Sequence, residues 1–241
     1  MTGHRTENVF HCIRWEVTDH IGLLTLDRPP SNDMTEPFFG EINQLVSSLR
    51  NDREVRGIII RGAGRHFSSG AALDELLQRI SGGDCPSEGP QQEEHFLVRN
   101  YRSFQWFEEA HVPVIAAIRG VCLGSAFELA LLSHFRICSE DAVFGLPETS
   151  FNLLPGLGGI RKILELSGKA NTIELVLRGK TFSASEALEL GLVDRIVPKR
   201  ELHAEAFALV SVLSPGYRKE KRPVYINRYF PTYVDLNEKT V

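Results

Sequence analysis

Two glutamates stand apart from their surroundings. Glu128 is the single charge in Ser125-Ala126-Phe127-Glu128-Leu129-Ala130-Leu131-Leu132, a run apolar on almost every helical face. A helix that is apolar all round is a buried helix, and a buried carboxylate needs a partner, a cavity or a task. Ser125 stands at the start of that helix, where backbone N–H groups have no acceptor inside it and the helix dipole favours negative charge. Glu128 lies three residues on, so it shares the helix face of Ser125. Glu148 follows in Phe144-Gly145-Leu146-Pro147-Glu148, on backbone stiffened by Pro147. A loop acid facing a helix acid beside free N–H groups is the equipment of general acid–base chemistry on a substrate that develops negative charge. The alternative for Glu128 alone is a snorkelling or salt-bridged side chain.

The flanking elements must hold these groups in place. Residues 114–118 read as an apolar strand leading through a turn at 120–124 into the helix. Upstream, residues 10–17 and 23–26 form a hairpin, 36–50 a helix with Pro37 in its first turn, and 55–61 a buried strand. The loop Gly62-Ala63-Gly64-Arg65-His66-Phe67-Ser68-Ser69-Gly70-Ala71-Ala72 is rich in small residues and precedes a helix over 73–80. It offers a second set of free N–H groups, or else a purely structural turn. It lacks the Gly-Lys-Ser/Thr of a nucleotide P-loop. Residues 81–94 read as a mobile polar surface loop, and 95–110 as an aromatic-rich helix. Short strands are expected over 136–138, 142–144 and 193–197, with a turn-rich connector at 153–159. Helices are expected over 160–167, 170–177, 184–190 and 201–213, the first three each followed by a capping glycine. Strands alternating with helices place the chain in the α/β class. The tail from 214 interleaves arginine and lysine with tyrosine and phenylalanine, as a phosphate- or nucleic-acid-binding segment or as a tail docked on a neighbouring subunit.

With 241 residues, 42% hydrophobic, the chain suits one large domain and a small appendage. A net charge of −4 argues against a dedicated nucleic-acid binder. Cys12, Cys85, Cys122 and Cys138 form no CxxC pair and no zinc-ligand spacing, so no metal is expected. Scattered thiols fit a reducing compartment. With no signal peptide, no run of transmembrane length and no Ser-Lys-Leu ending, the expectation is a cytoplasmic protein without membrane contact.

The chain resembles the crotonase family, the enoyl-CoA hydratase/isomerase superfamily, over about residues 10–213. The pieces occur in order: D-R-P at 27–29, G-I-I-I-R-G at 57–62, F-S-S-G-A at 67–71, A-A-I-R-G-V-C-L-G-S-A-F-E-L-A at 116–130, F-G-L-P-E at 144–148, P-G-L-G-G at 155–159, S-A-S-E-A at 183–187 and G-L-V at 191–193. The resemblance implies a repeated ββα spiral over 1–200, followed over 201–241 by a C-terminal helix and an atypical tail, in a homotrimer or hexamer. It implies an acyl-CoA thioester as ligand, with coenzyme A as part of the substrate and no separate cofactor. The thioester oxygen would rest on the backbone N–H groups of Ala71 and Ser125. Ser69, Gly70, Ala72, Leu73 and Gly124 would bind substrate, and pocket walls are expected from residues 73–110. Glu128 and Glu148 would be the catalytic pair of a hydratase that adds water to a 2-enoyl-CoA of fatty-acid metabolism. The alternatives are enoyl-CoA isomerisation, C–C hydrolysis, or a non-catalytic subunit of a mixed oligomer. The family's Gly-Gly-Gly before the first glutamate reads Gly124-Ser125-Ala126 here, and its Gly-Ala-Asp reads Gly70-Ala71-Ala72.

Overall fold

A computed structural model describes residues 10–81 and 95–214. The polar stretch beyond Ser81, up to 94, and the basic-aromatic tail from 215 lie outside the described residues. The hairpin is β1 (Ile13–Thr18) and β2 (Ile21–Leu26), paired antiparallel. From β2 onward the large sheet is parallel, running through β3 (Gly57–Gly62), β4 (Val114–Ile118), β6 (Phe135–Ser139) and β9 (Arg195–Val197). A parallel sheet is covered on both faces, which is why β3 and β4 are nearly unbroken apolar runs. Their side chains alternate strictly. Ile58, Ile60, Val114, Ala116 and Ile118 enter the main core, whereas Ile59, Ile115 and Ala117 enter a second cluster on the opposite face. Helix α7 (Leu202–Leu213) closes that second face with Leu202, Ala206, Leu209 and Val210. It sits so close that a Cβ on Gly57 would lie 2.5 Å from a Val210 methyl carbon.

A second, smaller sheet holds β5 (Val121–Leu123), β7 (Val143–Gly145) and β8 (Thr181–Ser183). Two parallel bridges, Ser68 with Cys122 and Met34 with Ala71, extend it. Each turn of the chain thus visits the large sheet, then the small one, then a helix. The sequence β3, Ser68, α2 (Leu73–Ser81) is one turn, and β4, β5, α4 (Ser125–Leu131) is the next. This is the ββα spiral expected from the resemblance. The turn expected at 120–124 is instead strand β5 between two glycines of positive φ, and β8 was not foreseen. Both strands have three residues, too few for a period-2 pattern to show.

The remaining helices are α1 (Glu36–Leu49), α3 (Phe96–Glu109), α5 (Gly159–Arg178) and α6 (Ala184–Glu189). The two helices expected over 160–177 meet at Gly168, whose φ of 80° breaks the helical path. Ser183 caps α6 through a capping box with Glu186. Aromatic residues of α3 serve packing: Phe104, Trp106 and Phe107 are buried in the core, and Phe104 meets Phe39 of α1. Among the described residues no helix is long and apolar enough to cross a membrane.

Asn32 ties the loop after β3 to the loop after β2. It is buried, with a φ of 55°, and its Oδ1 accepts from the Arg28 N–H at 3.0 Å. Its Nδ2 donates to the carbonyls of Ala63, His66 and Phe67 at 2.9, 3.0 and 3.1 Å. Replacing it by alanine leaves several buried backbone groups without partners. Asn32→Ala is expected to lower unfolding free energy by about 2–3 kcal/mol in urea titration. A change under about 0.5 kcal/mol would show that the loop is held by other contacts.

Candidate active site

The loop carrying Ala71 is fixed on both sides. Ser69 N–H donates to the Ser31 carbonyl at 2.9 Å, and its hydroxyl donates to Asp33 Oδ1 at 2.8 Å. Gly70 N–H is taken by the Ser68 hydroxyl at 3.0 Å. In the bridge to Met34, the Met34 N–H donates to the Gly70 carbonyl and the Ala72 N–H to the Met34 carbonyl, at 2.9 and 3.1 Å. That pattern uses the groups on either side of Ala71 and turns the N–H of Ala71 itself away from the bridge. Gly70 has a φ of 93°, and a Cβ there would lie 2.6 Å from the Leu123 carbonyl oxygen and 3.4 Å from the nitrogen of Ser125. The close approach of these two loops therefore requires glycine, and it brings the two candidate N–H donors to adjacent positions.

Ser125 opens α4 behind Gly124, whose φ is 53° and whose N–H donates to the Gly145 carbonyl at 2.9 Å. Every residue of α4 is buried. Of the two side chains that replace the family's glycines, Ser125 lines the cavity and Ala126 enters the core. The substitution therefore adds one side chain to the site, not two.

Glu128 is 1% exposed. It has no salt bridge among the described residues. Its Oε1 accepts from the backbone N–H groups of Leu157 and Gly159, both at 2.9 Å. A Cβ on Gly159 would lie 2.6 Å from Glu128 Cγ, so the second donor reaches the carboxylate only because that residue is glycine. Burial pushes the Glu128 carboxyl up to about 7. The two N–H donors pull the other way, and the charge of Glu148 adds to the rise. Glu148 projects from a 3₁₀ turn, Pro147–Phe151, which is pinned to α5 by Thr149 donating to the Val176 carbonyl at 3.0 Å. Burial raises its pKa too, partly offset by its own N–H. Its Oε2 is buried with no hydrogen-bond partner among the described residues. Its Oε1 lies 2.9 Å from where a Cβ on Gly124 would stand, which sets the acid over the start of α4.

These groups face one cavity of about 480 Å³. Ala71, Ser125, Glu128 and Glu148 all line it, as do the expected Ser69, Ala72, Leu73 and Gly124. Gly70 does not; it lies buried behind the wall, where it serves the approach of the two loops. Residues 73–110 supply only part of the apolar lining, through Leu73, Leu76, Phe96 and Leu97. Met34, Phe39, Phe151, Leu153, Leu154 and Leu157 supply much of the rest. The sequence reading missed Leu157 and Gly159 as holders of Glu128, and Asn100 on the cavity wall. The P-G-L-G-G run was the available signal for the first two; its partner stands some thirty residues away, at separations of 29 and 31. A carboxyl near neutrality, an acid with an unsatisfied oxygen and two adjacent N–H groups can move protons while a developing oxyanion is stabilised.

The family model described as enoyl-CoA hydratase/isomerase matches residues 16–221. An enoyl-CoA hydratase from Bacillus anthracis is similar at 30% identity, over 84% of this chain and 76% of that one, with a TM-score of 0.73. A Thermobifida fusca YX protein, solved in complex with CoA, is similar at 30% identity, over 84% and 78%, with a TM-score of 0.73. DspI of Pseudomonas aeruginosa is similar at 25% identity, over 88% and 83%, with a TM-score of 0.75.

The raised pKa of Glu128 has a stability consequence of definite sign. The unfolded chain ionises this group near 4.5 and the folded chain near 7, so the folded state holds the extra proton between those values. Stability is therefore highest below pH 4.5 as far as this group is concerned, and falls as pH rises to about 7, by about 3 kcal/mol. Urea unfolding across that window should show a smaller fall in Glu128→Gln than in the native protein. Parallel pH profiles for the two would contradict the assignment.

Proposed function

The chain belongs to the enoyl-CoA hydratase/isomerase family, and on that premise we propose that it adds water across the 2,3 double bond of a 2-enoyl-CoA thioester. The observation that carries this reading is the presence of two carboxyls, Glu128 and Glu148, in the same cavity as the first N–H of α4. The CoA complex of the Thermobifida protein supports a CoA thioester as the ligand. Isomerisation of a double bond needs one acid to carry a proton between carbons. It leaves the second, deliberately held carboxylate of Glu128 without a role.

In this reading the thioester carbonyl oxygen accepts from the N–H groups of Ala71 and Ser125. Glu128, whose pKa burial lifts to about 7, in its ionised form orients a water and takes its proton as the oxygen bonds to C3. The electron pair of the double bond moves toward the thioester oxygen, where the two N–H groups stabilise the enolate. Protonated Glu148 then delivers its proton to C2, and the thioester carbonyl re-forms. Water has been added as H and OH. Glu128 now holds the proton that Glu148 has lost, and exchange with solvent restores both. The apolar walls from Phe39, Leu76 and Leu97 accept an acyl chain and keep other water out. Coenzyme A enters as part of the substrate. The same reading includes a homo-oligomer, trimer or hexamer, supported by the apolar side chains of Leu164, Ile173 and Leu177 that α5 leaves exposed.

Turnover of crotonyl-CoA, followed by loss of the conjugated-thioester absorbance, tests this reading. Glu128→Gln and Glu148→Gln are each expected to lower kcat by about 10²–10⁴-fold. Ser125→Pro removes the backbone donor at a helix position that tolerates proline, and is expected to lower kcat by about 10²–10³-fold with thermal unfolding little changed. Full activity in either glutamine variant would overturn the two-carboxyl mechanism.

A further inference from the structure

The hydration chemistry leaves unused a largely buried polar residue of the cavity wall. Asn100 of α3 is 6% exposed and lines the cavity among apolar neighbours. Its Oδ1 accepts from Nδ2 of Asn43 on α1 at 3.2 Å. None of the described residues accepts from its own Nδ2. Asn43 Oδ1 is buried without a partner, whereas Asn100 Nδ2 is not a buried atom and is open to the cavity. A donor open to an apolar-walled cavity and without a protein acceptor is left for a ligand or water, and a leucine at this position would offer none. The seam of α1 and α3 is otherwise built of such residues, Phe39 and Phe104 among them. The donor is thus suited to a ligand oxygen. Glu36 and Glu75 also line the cavity, on its exposed side, and carry negative charge. That charge disfavours an anionic group on the bound chain.

We propose that Asn100 is a specificity-determining residue, donating from Nδ2 to an uncharged oxygen on the acyl chain. The preferred substrates are then 2-enoyl-CoA thioesters whose chain carries a hydroxyl or keto group, in preference to plain alkyl chains. A hydroxyl fits best, since it accepts from the amide and keeps a proton of its own to donate. This rests on the reading of the cavity as an enoyl-CoA site. It goes beyond that reading by naming the class of acyl chain. A site built to hydrogen-bond a substrate oxygen discriminates far more strongly than one that merely has room for it.

The test uses matched 2-enoyl-CoA thioesters of medium length, one plain and the others bearing a hydroxyl at successive carbons beyond the double bond. The ratio of kcat/KM, hydroxylated to plain, is measured for the native protein, Asn100→Leu and Asn100→Ala. Because each ratio is taken within one protein, a misfolded fraction cancels. The native protein is expected to favour at least one hydroxylated chain by about tenfold or more, and both variants to lose that preference. A native ratio of one or below at every position overturns the proposal. So does a preference that survives in both variants, or an equal loss on plain and hydroxylated chains. If no thioester turns over, the hydration reading fails. The same ratio taken from dissociation constants by calorimetry then decides the role of Asn100 separately.

Discussion

A carboxylate placed inside a fully buried helix constrains everything around it. Glu128 opens only onto the cavity, and among the described residues no cation approaches it. Two backbone N–H groups, from Leu157 and Gly159, hold its Oε1. That arrangement dictates the connector after the 3₁₀ turn. Gly158 has a φ of 105°, and Gly159 must lack a side chain because Glu128 occupies the space. The same helix that buries Glu128 presents its first N–H, at Ser125, to the cavity. The carboxyl and the first N–H of the helix are therefore positioned by one element, seven residues long.

The placement of the Ala71 loop depends on the spiral. Successive turns of the chain lay short strands side by side, so the loop after β3 lies against β5, and Gly70 packs on the carbonyl of Leu123. Asn32 holds that loop from the preceding turn through three carbonyls. The C-terminal end of α4 is held as well. Arg136 donates to the carbonyls of Leu131 and Ser133 and pairs with Asp194 at 2.9 Å. The electrostatic consequence is the near-neutral pKa of Glu128. Holding this carboxyl near 7 costs the fold stability at neutral pH.

Much of this was legible from the residues. An apolar helix with one glutamate announced both its burial and its oddity, and the small-residue loop announced free N–H groups at a helix start. The buried strands followed from apolar runs at 57–60 and 114–118. What was not legible depended on distance along the chain or on size. Strands β5 and β8 are too short for a pattern, and glycines around β5 imitated a turn. The anchors of Glu128 are backbone atoms, which no side-chain motif names. Gly70 looked like a ligand contact but serves packing between loops. Asn100 was hidden because an asparagine in an aromatic-rich helix reads as surface until the cavity is seen beside it. Ordered contacts between α1 and α3, separated by 57 residues at the Asn43–Asn100 pair, gave it meaning.

The central claim is that Glu128 and Glu148 act together on opposite ends of one double bond. The most direct measurement is the reaction of crotonyl-CoA in deuterium oxide, with the product followed by proton NMR. The account predicts a 3-hydroxyacyl thioester carrying one deuterium at C2 for every hydroxyl gained at C3. Deuterium entering the acyl chain without addition at C3, or a shifted double bond, would contradict it and assign the cavity to proton transfer by a single acid.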